Sequence, residues 1–163
     1  MQNVHTNTDH AATTDRAAML RPATAQDLVV VERLLSVNQL PLEGVRAALP
    51  NFVVAEAAGE IVGVAGLELC SENALLRSVA VAEPWRAHGI GRALVARLVA
   101  EAEARGIPAL YLLTTTAEHY FPSLGFRTIT RAAVPSDIQA TEEFRESCPA
   151  SAAVMRRSLQ RAS

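Results

Sequence analysis

The stretch VAVAEPWRAHGIGRALVARLVAEAEARG, residues 79–106, joins an apolar run of strand length to a long apolar-periodic run through two closely spaced glycines. Apolar side chains after the glycines recur at helical spacing, which predicts a helix over residues 91–105 that Gly106 ends. A strand, a glycine loop and a helix N-terminus direct several unpaired backbone N–H groups at one point. The stretch therefore predicts an anion site at Gly89 and Gly91, where a Cβ would clash with a ligand held against the backbone.

This loop matches neither of two well-known phosphate-binding motifs. The dinucleotide pattern GxGxxG fails because Leu94 stands at its last position, and no GK[ST] is present for a P-loop. Arg86 and Arg92 would add positive charge around a bound anion. The alternative is a tight strand-to-helix turn whose glycines serve packing alone.

The rest of the chain predicts a mixed α/β fold in which helices flank one sheet. Glycine turns and β-branched residues indicate a hairpin early in the chain, and a strand-helix-strand unit follows in its middle. Thr24 and Asp27 form a capping-box-like helix start. The predicted strands are residues 19–22, 51–57, 61–69, 74–82, 109–115, 126–134 and 150–159. The predicted helices are residues 24–37, 42–49, 91–105, 116–125 and 135–147.

Composition limits the classes of protein to which the chain can belong. Its 163 residues suit one domain, 50% are apolar, and the net charge is −2. The arginines are scattered among a similar number of acids, so we expect no nucleic-acid partner. Cys70 and Cys148 form no CxxC pair, which favours a reducing cytoplasm and no metal site. We interpret residues 1–17 as a flexible extension, residues 18–163 as a single domain, and no segment as a signal peptide or membrane span.

Several motifs together resemble one known family. RAHGIGRAL after LLRSVAVAEPW is similar to the acyl-CoA-binding motif (R/Q)xxGx(G/A) of the GNAT superfamily of N-acetyltransferases. The strand pair NFVVAEAAGEIVGVAGL and the segment LYLLTT with YFPSLGF also resemble that family, so the resemblance covers residues 19–159. It implies a mostly antiparallel sheet that splits where acetyl-CoA binds as co-substrate.

The resemblance also implies which residues hold acetyl-CoA. Pantetheine would pair with the main chain of the strand, and the pyrophosphate would lie on the amides of the glycine loop. The implied binding residues are Val79, Ala80, Val81, Arg86, Ala87, His88, Gly89, Ile90, Gly91, Arg92 and Thr114.

Two positions depart from the family pattern. Thr114 stands where an asparagine is usual, and Phe121 stands where the family often has a tyrosine that protonates the departing thiolate. Phenylalanine has no proton to give, so we favour a mechanism without an acid. Tyr120 points elsewhere on an ideal helix, but Pro122 makes that helix irregular, and Tyr120 is kept as a candidate acid.

On the acceptor side, Glu68 is the candidate base or the anchor of a water chain. A carboxylate near a strand end among apolar neighbours is expected to have a raised pKa, although an outward-facing strand carboxylate is an equal alternative. Arg77 interrupts an apolar strand and needs a partner, which could be Glu68, a substrate carboxylate or an oxyanion. Cys148 is either a nucleophile or a small buried hydrophobe, and we favour the second.

Within the superfamily, LLRSVAV, ATEEFRESCPASAAVM and LPLEGV resemble the arsenic-resistance N-acetyltransferases. This resemblance implies a small amino-acid-like or organoarsenical amine as acceptor. The carboxylate of a glutamate-like acceptor would need an arginine as partner, and the candidates are Arg77 and Arg46. The sequence thus predicts a cytoplasmic acetyl-CoA-dependent N-acetyltransferase, which we expect to be a homodimer. The alternatives are a non-catalytic acyl-CoA-binding sensor or subunit and a protein N-acetyltransferase.

Overall fold

The computed structural model describes residues 18–147 and 150–160, so the predicted extension over residues 1–17 and the residue Cys148 lie outside the described part of the chain. The strands of that part are β1 (Met19–Pro22), β2 (Phe52–Ala57), β3 (Glu60–Leu69), β4 (Ala74–Val81), β5 (Ala109–Thr114), β6 (Arg127–Ile129) and β7 (Ala153–Ser158). The helices are α1 (Leu28–Val37), α2 (Val45–Ala48), α3 (Ile90–Ala104) and α4 (Ser136–Gln139), with a π-helix at Glu143–Ser147.

The strands form one sheet in the order β1-β2-β3-β4-β5-β7-β6. Neighbouring strands run antiparallel except for β4 and β5, which are parallel. This confirms the prediction of a mixed, mostly antiparallel sheet flanked by helices. No helix in the described part of the chain combines the length and the apolar character that crossing a bilayer requires.

Helices cover both faces of the sheet. The predicted apolar stripe of α3 is buried, with Leu94, Leu98 and Ala102 all at 0% exposure against β2, β3 and β4. On the other face, Val31 and Leu35 of α1 pack with residues of α2 and with alternate side chains of β2 and β3. A strand covered on both faces reads as a continuous apolar run, which explains the lack of alternation in β4.

The predicted hairpin is present and its turn is tight. Ala57 pairs with Glu60, which leaves Ala58 and Gly59 as the two turn residues, with φ of 53° and 79°. Positive φ at both positions is the pattern of a type I′ turn, whose twist matches that of the strands.

The segments after β5 differ from the prediction. The helix predicted over residues 116–125 is only a 3₁₀ turn at Phe121–Leu124, because Pro122 cannot donate a helical hydrogen bond and Gly125 turns the chain at φ 94°. The strand predicted over residues 126–134 stops at Ile129.

The prediction of a single helix over residues 135–147 was also wrong, because α4 and the π-helix are separate elements. The hydroxyl of Thr141 donates to the carbonyl of Ile138 and accepts from the amide of Phe144. A threonine that bonds its own backbone in this way competes with helix continuation.

The capping box at Thr24 gives a pH-dependent contribution to stability. Hydrogen bonds from Arg21 lower the pKa of Asp27 to about 2, and the amide of Thr24 donates to the same carboxylate. Because the pKa of Asp27 is lower in the folded than in the unfolded protein, its ionised carboxylate stabilises the fold at pH values above the unfolded pKa of about 4. This stabilisation is lost as the pH falls toward 2.

We therefore expect Asp27→Asn to lower the free energy of unfolding at pH 7 by roughly 1–2 kcal/mol, a range that allows for partial solvent screening. The difference in the free energy of unfolding between the wild type and Asp27→Asn should become smaller between pH 4 and pH 3, as measured by urea denaturation. Glu56→Gln is the matched control, because it removes the more exposed partner of Arg21. A gap that is the same at every pH would contradict this account.

Candidate active site at the split in the sheet

The sheet splits between its two parallel strands. β4 and β5 pair only at Ala74 with Leu110 and at Leu75 with Tyr111. Beyond these pairs the strands diverge, and a cavity of about 710 Å³ opens between them. It is lined by residues 76–79 of β4, the end of β5 and the segment 114–117, together with Pro41, Glu43 and Glu143.

An irregularity in β4 shapes this cavity. Gly66 pairs with Arg77 whereas Val64 pairs with Ala80, so β4 carries one extra residue between the two pairs. Ser78 within this bulge has φ 61°, which is rare for a residue with a side chain. A bulge bends its strand and changes which way the side chains point, and here Arg77, Ser78 and Val79 all line the cavity.

A second cavity, of about 560 Å³, lies between the C-terminal half of β4 and the glycine loop. It is lined by most of the residues assigned to acetyl-CoA from the sequence, namely Val79, Ala80, Val81, Arg86, Ala87, Gly89, Ile90, Gly91 and Arg92. Val79, Ala117 and Tyr120 line both cavities, so the two meet at these residues. A long ligand whose two ends differ in chemistry would span both.

The two loop glycines have different physical roles. Gly89 has φ 83°, and a Cβ there would meet nothing within 4 Å, so its conformation rather than a clash requires glycine. A Cβ on Gly91 would lie 2.8 Å from the hydroxyl oxygen of Tyr120. The expected clash with a ligand is therefore replaced, at Gly91, by close packing against a side chain of the site.

The cations of the loop already have protein partners. Arg86 donates from Nε to the carbonyl of Val81 at 3.1 Å and from Nη2 to Oδ1 of Asn38 at 2.6 Å. Arg92 donates to the hydroxyl of Ser123 at 3.4 Å. Both side chains are exposed, and these contacts place positive charge at the rim of the second cavity.

Of the two aromatic residues considered as the acid, Tyr120 lies at the junction of the cavities and Phe121 does not. Phe121 is buried and packs edge-to-face against Phe126, while Tyr120 reaches the junction of the cavities. Burial raises the pKa of Tyr120, which Arg92 opposes, so the phenol is protonated at neutral pH. The hydroxyl of Thr114 accepts from the amide of Ala117 at 2.9 Å and caps the turn that carries Tyr120.

Arg77 is the centre of a buried charge cluster at the bottom of the first cavity. Its side chain is 0% exposed, and it pairs with Oε1 of Glu68 at 3.1 Å and with Oε1 of Glu143 at 3.5 Å. Nε of Arg77 also donates to the hydroxyl of Ser78. Arg77 therefore has Glu68 as a partner, one of the alternatives that the sequence left open, and a second carboxylate besides.

Glu143 was missed by the sequence reasoning. It lines the first cavity, whereas Glu68 does not. Burial raises the pKa of Glu143 to about 7, an effect that Arg77 opposes and that Glu68 and Glu43 reinforce. Its neighbour Glu142 is exposed, so nothing in the local sequence distinguishes the buried glutamate from the solvated one.

Comparison with known proteins agrees with this architecture. The model of the acetyltransferase (GNAT) domain matches residues 49–128. An amino-acid acetyltransferase of Aeromonas salmonicida is 31% identical over 74% of this chain and 26% of its own length. An uncharacterized N-acetyltransferase of Chlorobaculum tepidum is 29% identical over 60% of this chain and 63% of its own length. The chain thus spans between a quarter and just under two thirds of these curated relatives.

Solved structures share the fold. The N-acetylglutamate synthase of Neisseria gonorrhoeae, complexed with coenzyme A and N-acetyl-glutamate, superposes with a TM-score of 0.77 at 22% identity, over 88% of this chain and 35% of that one. Rv2747 of Mycobacterium tuberculosis, in complex with CoA, gives a TM-score of 0.75 at 23% identity, over 87% and 99% of the two chains. The names of the Aeromonas salmonicida and Neisseria gonorrhoeae proteins mention an amino acid, and none of the four names mentions arsenic. The matched model shows that residues 49–128, which include the glycine loop and β4 at the split in the sheet, form an acetyltransferase (GNAT) domain.

Proposed function

We propose that the protein is an acetyl-CoA-dependent N-acetyltransferase that acts on a small-molecule amine by direct attack. The observation that carries this proposal is the meeting of the two cavities at Val79, Ala117 and Tyr120. Acetyl-CoA bound along the glycine loop would present its thioester at that junction, and an amine in the first cavity would reach it.

The residues at the junction suit acyl transfer. Backbone amides near Val79 lie where β4 has separated from β5, so they can stabilise the negative oxygen of a tetrahedral intermediate. The phenol of Tyr120 retains its proton at neutral pH and can protonate the departing thiolate. On an ideal helix Tyr120 would point elsewhere, but the segment forms only the 3₁₀ turn Phe121–Leu124 with Tyr120 just before it, which supports Tyr120 as the acid over a mechanism without one.

The acceptor that we propose is amino-acid-like. The Aeromonas salmonicida relative, which is named an amino-acid acetyltransferase, supports this choice. Arg77 lines the first cavity, but its side chain is fully buried and already pairs with Glu68 and Glu143, so it is not counted as support. Arg46, the other supplier suggested by the sequence, is exposed on α2 and is not among the lining residues. A more specific form of this proposal is that the acceptor is an organoarsenical amino acid, which only the sequence motifs support.

The test is thiol release from acetyl-CoA, followed with a colorimetric thiol reagent over a panel of amines. The panel contains glutamate-like amino acids, arsenical amino acids, and amines of similar size that lack a carboxylate. Release with any panel member supports the proposal and identifies the acceptor class. Silence across the panel, with coenzyme A binding shown by a thermal shift, would instead favour an acyl-CoA-binding sensor or a protein substrate.

Replacing Tyr120 with phenylalanine tests the acid. We expect kcat to fall about 100-fold, since general acid catalysis contributes typically 10² or more, while the affinity for coenzyme A stays unchanged. Phe121→Tyr in the same background is the matched variant. Phe121 lines the first cavity but not the second, so a hydroxyl there should not reach the junction and should not restore the rate. An unchanged kcat in Tyr120→Phe would show that the thiol departs without help.

A further inference from the structure

Glu143 occupies a position that a structural ion pair does not explain. The guanidinium of Arg77 already has a carboxylate partner, Glu68, at the shorter distance of 3.1 Å. Glu143 adds a second carboxylate at 3.5 Å, so the cluster holds two acids for one buried cation. Burying an additional acid costs free energy that a single shared cation repays only in part.

The backbone around Glu143 is also unusual. Glu143 is the first residue of the π-helix Glu143–Ser147. Such helices are rare, and they are frequent at functional sites. With 5% of its side chain exposed, Glu143 lines the cavity next to Arg77. A carboxylate that is buried yet faces a cavity is placed to meet a ligand rather than solvent.

We propose that Glu143 is the proton acceptor for the incoming amine in the reaction proposed above. An ammonium group entering the first cavity loses one proton to the carboxylate of Glu143, and its N–H bond breaks. The freed nitrogen lone pair attacks the thioester carbonyl, the C–N bond forms, and the C=O π pair moves onto the oxygen. That pair re-forms the carbonyl as the C–S bond breaks. The thiolate takes a proton from Tyr120, and the nitrogen loses its remaining extra proton to solvent. Tyr120 then regains a proton from solvent and Glu143 releases its own, which restores both side chains.

The electrostatics fit this role. A base works best when its pKa lies near the operating pH, and burial raises the pKa of Glu143 to about 7. The charged groups that face it are Arg77 on β4, Glu68 on β3 and Glu43 ahead of α2. Arg77 favours the carboxylate and the two glutamates favour the protonated acid, so the group can both take and release a proton near neutral pH.

Glu68 is the competing candidate, and its geometry is less suitable. Its side chain is 25% exposed, it is held by Arg77, and it is not among the residues that line the first cavity. We therefore assign Glu68 the positioning of Arg77 and, through Arg77, the maintenance of the charge balance at Glu143.

The closing experiment compares Glu143→Gln with Glu68→Gln in the thiol-release assay between pH 5.5 and 8.5. An amine whose own pKa exceeds 9 is used, so that its titration lies outside the range. We expect the wild-type kcat/KM to fall as pH drops through a limb near 7. Glu143→Gln should be at least 100-fold slower and should lack this limb, whereas Glu68→Gln should retain it.

A Glu143→Gln variant that keeps the wild-type rate, or that keeps the limb, would overturn the inference. Coenzyme A binding by thermal shift checks that each variant is folded. If Glu143→Gln does not fold, ¹³C NMR of the glutamate carboxyls in the wild-type protein replaces it. The signal of Glu143 is identified by its absence from the spectrum of Glu143→Asp. We expect this signal to titrate near 7 and to shift when the amine binds, and titration near 4 would overturn the proposal. Wild-type protein that binds coenzyme A but acetylates no amine would remove the proposed function itself, which is a different result.

Discussion

Arg77→Met is expected to lower the free energy of unfolding at pH 8 by about 3–5 kcal/mol, because it leaves the buried carboxylate of Glu143 and the partly buried carboxylate of Glu68 without their shared cation. The side chain of Arg77 is fully buried and it pairs with both Glu68 and Glu143. Since Arg77 lowers the pKa of Glu143, its loss raises that pKa further, and the carboxyl then folds as the neutral acid. The loss of stability should therefore be smaller at pH 6 than at pH 8.

Urea denaturation followed by circular dichroism at the two pH values measures this effect. Arg97→Met is the matched control, because Arg97 pairs with Glu101 at a similar distance of 3.0 Å but on the surface of α3. An exposed pair of this kind contributes roughly 0.3–0.5 kcal/mol. The account of the charge cluster would fail if both arginine variants were destabilised equally, or if Arg77→Met in a Glu143→Gln background cost as much as it does alone.

Gly66→Ala is the second substitution with a large expected effect. A Cβ at position 66 would lie 2.1 Å from two carbon atoms of the Phe52 ring, directly across the β2–β3 pair. Phe52 is 1% exposed, so its ring has no free space to enter. Overpacking a core typically costs 1–3 kcal/mol, and we expect the upper end or more here because both backbones belong to the sheet.

Gly63→Ala on the same strand is the control for Gly66→Ala. Its Cβ would lie 3.0 and 3.1 Å from methyl groups of Ile90 and Leu94, and a shift of these side chains by a few tenths of an ångström would relieve both contacts. We expect a loss below about 1 kcal/mol there. The double variant Gly66→Ala with Phe52→Leu should recover part of the stability, and a Gly66→Ala protein as stable as Gly63→Ala would show that the ring can move.

Local patterns sufficed for most of the fold. The periodic apolar positions of α3, the glycine turn at Ala58 and Gly59, and the capping residues at Thr24 and Asp27 each depend on neighbours within a few residues. Such signals are readable because backbone geometry and side-chain spacing act over one or two turns. The segments after β5 were misjudged, because the hydroxyl of Thr141 and the left-handed Gly125 override helical spacing.

The candidate site was readable only where the backbone is the binding element. The glycine loop and β4 present amides whatever side chains they carry, so a motif of small residues indicated them. The proposals for acid and base depend on side chains, and adjacency in sequence does not separate the candidates. Tyr120 reaches the junction while Phe121 is buried, and Glu143 is buried while Glu142 is exposed.

By itself, the sequence determined the order of the elements, the mixed sheet and the position of the glycine loop, because these follow from short-range spacing and from residues that permit special backbone angles. The tertiary structure decided which carboxylates share Arg77. Glu68 and Arg77 come from the consecutive strands β3 and β4, whereas Glu143 comes from a π-helix much later in the chain. The tertiary structure also decided the charge of the site. The pKa of Glu143 depends on burial and on the distances to Arg77, Glu68 and Glu43, and only the folded chain fixes these quantities.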